Sequence, residues 1–156
     1  MANVKLSSFL RYWLPVGIWM TVIFSASADT QSYVHSSLIF EPVMRWLFPH
    51  MPKEQMEELH HLFRKCGHLS EYGILALLVW RAIHKPCLEP GKPWSWSEAG
   101  LTVVIVCGYA ATDEFHQIFV PNRTPLVSDV IIDTLGGSAA LLCLWAMRRL
   151  RPARKT

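Results

Sequence analysis

Residues 99–147 read AGLTVVIVCGYAATDEFHQIFVPNRTPLVSDVIIDTLGGSAALLCLWAM, two apolar runs joined by a short polar turn. The stretch 99–112 carries no charge, and 130–147 carries only Asp133. A helix crossing the roughly 30 Å hydrocarbon core of a bilayer takes about 20 mostly apolar residues. Both runs approach that length once their polar ends are included. PNRTP has the turn residues that end one helix and start another at the same membrane face.

Two further runs complete the pattern. Residues 12–28 carry no charge, and 67–80 are apolar except for His68 and Glu71. The chain has 156 residues, of which 51% are hydrophobic and 17% charged. That charged fraction lies below the roughly 25% of ordinary soluble domains. Four such runs in a short chain leave little surface for water. The expected fold is therefore all-α: one domain over 1–156, an integral membrane bundle of four transmembrane helices. They are placed at 9–27, 66–84, 99–120 and 128–147. A soluble bundle of unusually apolar helices is the competing architecture.

Charge sets the orientation. One set of helix ends carries Lys5, Arg11, Arg81, Lys85, Lys92 and the tail RRLRPARK at 148–155. The other carries Arg45, Lys53, Arg64, Lys65 and Arg123 and is the less basic. The positive-inside rule then puts both termini and the tail at 148–156 in the cytoplasm. A basic tail after an apolar helix reads as this signal rather than as a nucleic-acid site. Ala26-Ser27-Ala28 after the first apolar run also fits a signal-peptidase site, a competing reading of the N-terminus. Cys66, Cys87, Cys107 and Cys143 lack CxxC spacing and read as small core residues, not a disulfide or zinc framework.

The outer segment, about 29–65, has two parts. YVHSSLIFEPVMRWLFP mixes aromatic and aliphatic residues with two prolines and reads as an interfacial stretch. From Pro52, Met56, Leu59, Leu62 and Phe63 share one helical face, the pattern of an amphipathic helix running into the second membrane helix near Gly67. Trp94 and Trp96, in the loop before the third helix, suit the membrane interface.

The candidate site consists of the polar residues a membrane helix ordinarily avoids. Lys65, His68, Glu71 and Tyr72 form one stripe on the second helix. Asp113, Glu114, His116 and Gln117 follow the third apolar run, with Glu114 expected to point partly away from the others. Arg123 sits in the turn. Asp129 and Asp133 lie one turn apart on the last helix, before Gly136-Gly137, a pair that lets helices approach closely. The topology puts all these groups at the outer end. Ionisable groups at membrane depth cost several kcal/mol by the lower estimates, roughly 2.5–3.5 each, so they face a cavity or pair with one another. Asp129 also suits the start of a helix, with Ser128 beside it. Glu114, His116, Asp113, Glu71 and His68 are candidate acids and bases. Lys65, Arg123, Tyr72, Gln117, Asp129 and Asp133 are candidate ligand contacts.

The sequence resembles the VanZ-like membrane proteins. The matching pieces are WLPVGIWMTVIFSAS, RKCGHLSEYGILALL and YAATDEFHQIFVPNRTPLVSDVIIDTLGG. The third is the most specific: D-E-x-H-Q, then P-x-R, then D-x-x-x-D/N with glycines. Asn often stands in the family where this chain has Asp133, so hydrogen-bonding shape counts there more than charge. Ser25 and Ser27 match more weakly. The resemblance implies a multi-pass bacterial protein of the cytoplasmic membrane linked to the cell envelope, and by the family's name to glycopeptide-antibiotic resistance. It supplies no reaction.

Four readings follow. The polar pocket binds or modifies an envelope lipid or lipid-linked precursor, with Lys65 and Arg123 on its phosphate. Or it is an acid-base enzyme, which lacks an evident nucleophile. A divalent metal is conceivable there, but no strong metal motif is present. Or it relays protons for transport, against which stand the apolar inner halves of helices three and four. Or it is an ion-pair network of a structural or interaction protein. Oligomeric state is not readable.

Overall fold

The computed structural model describes residues 2–28, 32–86, 88, 91–121 and 125–150. Its elements are α1 (Ala2–Ser27), α2 (Ser32–Leu47), α3 (Lys53–His84), α4 (Trp96–Gln117) and α5 (Val127–Leu150). Among the described residues there is no strand. The fold is all-α, with one more helix than the four apolar runs announce.

The additional helix is α2, which closes around Pro42 despite the missing donor. Its Phe40 is buried, 4.8 Å from the His60 ring and 5.1 Å from the Phe63 ring. Ser36 Oγ lies 2.9 Å from His60 Nε2. These contacts hold α2 on the first turns of α3. The amphipathic helix after Pro52 runs without a break into the apolar part, giving one helix of 32 residues. At 1.5 Å per residue it is about 48 Å long, more than a bilayer core takes. α3 ends on Lys85, in the left-handed conformation at φ 50°, whose N–H returns to Arg81 O. Ser95 opens α4 by accepting from Glu98 N.

α3 and α5 make the most extensive helix contact, and glycine permits it. A Cβ on Gly136 would stand 2.5 Å from Leu69 O, and one on Gly137 3.3 Å from Ala76 Cβ, both on α3. α1 packs on α3 and α4, donating from Trp19 Nε1 to Glu71 O at 2.9 Å. In return the Tyr109 hydroxyl donates to Met20 O. Tyr12, Ile23, Tyr72, Leu75, Val79, Val106 and Leu141 form the core.

The distribution of polarity inverts that of a water-soluble domain. Large apolar side chains face outward along every helix of the bundle, with Leu14, Ile74, Val104 at 67% and Leu135 at 59% exposed among them. Asp113, Glu114, Gln117, Asp133, Thr102 and His84 lie inside. Hydroxyls on the helices bond their own backbone one turn back, as in Thr21 to Gly17 O, Ser70 to Cys66 O, Thr134 to Val130 O and Ser138 to Thr134 O. That is how polar groups are satisfied where water is absent.

Two helices, over Ser7–Ser27 and Val127–Leu150, are long and apolar enough to cross a membrane. α3 and α4 carry ionisable residues in or beside their apolar parts and do not meet that criterion by themselves. The cysteine expectation needs correction: Cys66 and Cys143 are exposed and Cys107 is half-buried, so these are not core residues. They lie on outward faces, where a small weakly polar side chain sits without cost in an apolar exterior. Cys87 lies outside the described residues.

Candidate functional site

The polar residues of α1, α3, α4 and α5 gather at one end of the bundle. α4 supplies the centre. Its last turns leave the apolar run as TDEFHQ, and the helical repeat turns Asp113, Glu114 and Gln117 inward, all three buried. Gln117 Nε2 donates to Ser27 Oγ at 3.0 Å and to Glu114 Oε1 at 3.1 Å. The other Glu114 oxygen accepts from Leu126 N at 2.9 Å. Glu114 thus points into the bundle rather than partly away, and fixes the return from the turn to α5.

Asp113, 3% exposed, lies within hydrogen-bonding reach of Ser27, Gln117 and Tyr72 and near His68. Its Oδ1 has no hydrogen-bond partner among the described residues. Tyr72, 0% exposed, stands beside Asp113 and Asp133, its hydroxyl within reach of the Asp113 carboxyl but not in good hydrogen-bonding geometry. Asp133, 4% exposed, lies within electrostatic range of the carboxyls of Asp129, Glu114, Asp113 and Glu71. His116 packs its ring 4.2 Å from Phe24 of α1, and its buried Nδ1 has no partner among the described residues. His68 Nδ1 and Glu71 Oε2 lie 3.7 Å apart, an ion pair when the histidine is protonated. The assembly is rich in acceptors, with a phenol, an imidazole and an amide as donors.

Not every expected member joins it. Lys65 is exposed and lines an open groove of about 550 Å³ with Glu54, Glu57, Glu58, His61 and Leu62. It forms no salt bridge among the described residues. Arg123 lies outside the described residues. Asp129 sits half-buried in the first turn of α5, 3.4 Å from the Ser128 hydroxyl, as a residue complementing a helix start does. Among the described residues no group of three His, Cys, Asp or Glu is placed to hold a metal. Of the two weakly matched serines, Ser27 is buried in the cluster, while Ser25 is exposed and bonds Thr21 O.

Sequence reasoning missed a second polar centre at the opposite end. His84 is buried at the end of α3, its Nδ1 2.6 Å from Glu98 Oε2. Lys92 Nζ lies 2.8 Å from Glu98 Oε1. Arg148 Nη1 lies 3.2 Å from His84 Nε2, and Nη2 donates to Lys92 O at 3.0 Å. Burial pushes the Glu98 carboxyl up, but the hydrogen bonds and charges of Lys92 and His84 outweigh it and hold it below the ordinary 4.5. The signal in the sequence was an acid, Glu98, following closely on the bases Arg81, His84, Lys85 and Lys92.

An apolar exterior, helix hydroxyls satisfied internally and polar groups gathered inside define a helical membrane protein. The VanZ/LLP1 family model matches residues 12–148, and the chain belongs to that family. No curated protein and no solved structure matches the chain.

Proposed function

We propose that the chain is a multi-pass protein of the bacterial cytoplasmic membrane that binds or modifies a cell-envelope lipid or lipid-linked precursor. Residues 9–27, 66–84, 99–120 and 128–147 span the bilayer, and both termini face the cytoplasm. The face carrying Asp113, Glu114 and Asp133 then opens to the outer leaflet, where such a headgroup resides. α2 lies in the outer interface.

One observation carries this reading. Buried carboxylates, the Tyr72 hydroxyl and His116 Nδ1 converge at one end of an apolar-surfaced bundle, and several of their polar atoms have no partner among the described residues. Such a set costs more than helix packing needs. Carboxylates accept from hydroxyls and amines, so the contacted part of the headgroup is a hydrogen-bond donor. A phosphate on the same lipid is left to Arg123, since Lys65 lies apart from the cluster in its own groove. Native mass spectrometry of the wild type and of Glu114→Gln, released in mild detergent, tests the reading. A co-purifying polyprenyl or phosphorylated lipid, diminished in the variant, supports it. An empty, equally folded protein in both forms counts against it.

A second reading has its own observation. Gln117 and Glu114 tie α4 to Ser27 of α1 and to Leu126 before α5. On this reading the cluster is a structural network fixing helix register, and Glu114→Gln loses stability instead of ligand. A link to glycopeptide resistance rests on the family's name alone.

A further inference from the structure

The basic end of the bundle is usually explained by membrane insertion, which needs only the number of positive charges there. It does not need them to be stacked on aromatic rings. Here they are. Arg149 Cζ sits 4.8 Å from the centre of the Trp145 ring, and Trp145 lies 5.5 Å from Trp96. Arg149 is exposed and Trp96 is 58% exposed. Three other cations at this end are already engaged. Arg148 is bound to Lys92 O, lies near His84 and packs over Trp80, Lys92 pairs with Glu98, and Arg81 packs over Tyr12. Arg149 forms no salt bridge among the described residues.

We propose that Arg149, Trp145 and Trp96 form a headgroup site for an anionic phospholipid of the cytoplasmic leaflet. A guanidinium stacked on an indole keeps its N–H edge free and pre-oriented for two phosphate oxygens. The indoles suit the ester and glycerol layer just beneath the phosphate. The Arg148 contacts fix the end of α5 and thereby the position of Arg149 one residue on. Assignment to the cytoplasmic leaflet rests on the orientation proposed above; the headgroup chemistry does not, and the outer cluster takes no part in it.

The test is native mass spectrometry of the detergent-purified full chain, titrated separately with phosphatidylglycerol, phosphatidylcholine and inorganic phosphate. Wild type retains phosphatidylglycerol in preference to phosphatidylcholine. Arg149→Gln lowers that retention about fivefold, the factor corresponding to the ~1 kcal/mol of a basic residue at an anionic surface. Trp96→Leu weakens it as well, Arg45→Gln at the other end leaves it unchanged, and all three variants melt like wild type. Equal retention of the two lipids, or an Arg149→Gln protein that holds phosphatidylglycerol like wild type, overturns the proposal. So does saturable binding of inorganic phosphate without retention of phosphatidylglycerol, which would make this a site for a soluble anion.

Discussion

Gln117 on α4 donates from Nε2 to Ser27 Oγ on α1 at 3.0 Å, joining residues 90 positions apart. The bond fastens the end of the first helix to the acidic cluster. It also explains why a serine that looked marginal in the sequence is buried.

Interhelical hydrogen bonds in membranes contribute about 0.6 kcal/mol on average and up to about 1.7. Ser27→Ala should therefore destabilise the protein by that order. Ser27→Ala combined with Gln117→Ala should cost less than the sum of the two single changes. Reversible unfolding in mixed detergent micelles gives the cycle. Strict additivity would show that the bond is not formed.

Gly136→Ala places a methyl group 2.5 Å from Leu69 O, a backbone atom that cannot move alone. The α3–α5 contact must open, at a cost of about 1–3 kcal/mol. Gly67→Ala meets nothing within 4 Å and should gain up to about 1 kcal/mol from helix propensity. Thermal melting of the two variants side by side separates packing from propensity.

Glu98 is held below the ordinary 4.5 by Lys92 and His84. A carboxyl with a depressed folded value contributes stability that is full above 4.5 and is lost as pH falls through the folded value. Glu98→Gln should thus be less stable than wild type at pH 7, and the gap should shrink as pH drops below about 4.5. Melting temperatures across that range check the sign. A gap that stays constant or widens on acidification would contradict it.

The orientation is open to labelling. In a cysteine-free background, a membrane-impermeant maleimide should label His50→Cys in intact cells and Ser97→Cys only after lysis. The opposite pattern reverses the bundle and moves the acidic cluster to the cytoplasmic face.

The apolar runs were legible because membrane helices declare themselves by length and absence of charge, and α1, α4 and α5 lie close to where those runs put them. α2 was not, because Pro42 argues against a helix and only the packing of Phe40 on His60 and Phe63 reveals why one forms. The convergence of Asp113, Gln117 and Tyr72 could be inferred from spacing and topology. The inward aim of Glu114 could not, since it depends on Leu126 N being in reach across the turn. Lys65 looked like a partner of the carboxylates because heptad spacing puts it in line with Tyr72. Its side chain is instead exposed and lines a groove with Glu54, Glu57 and Glu58. The His84–Glu98–Lys92–Arg148 centre was invisible because its members come from three helices and a loop, and each alone reads as an ordinary interfacial residue.

The most direct test of a ligand site against a structural network is Tyr72→Phe, measured for both melting temperature and co-purifying lipid. The Tyr72 hydroxyl is buried and faces Asp113 of α4 without a well-formed hydrogen bond, so its removal costs the helix contact little. A ligand site predicts that Tyr72→Phe melts like wild type and loses the bound lipid. A variant that melts lower, or that keeps the same lipid at the same occupancy, contradicts the account.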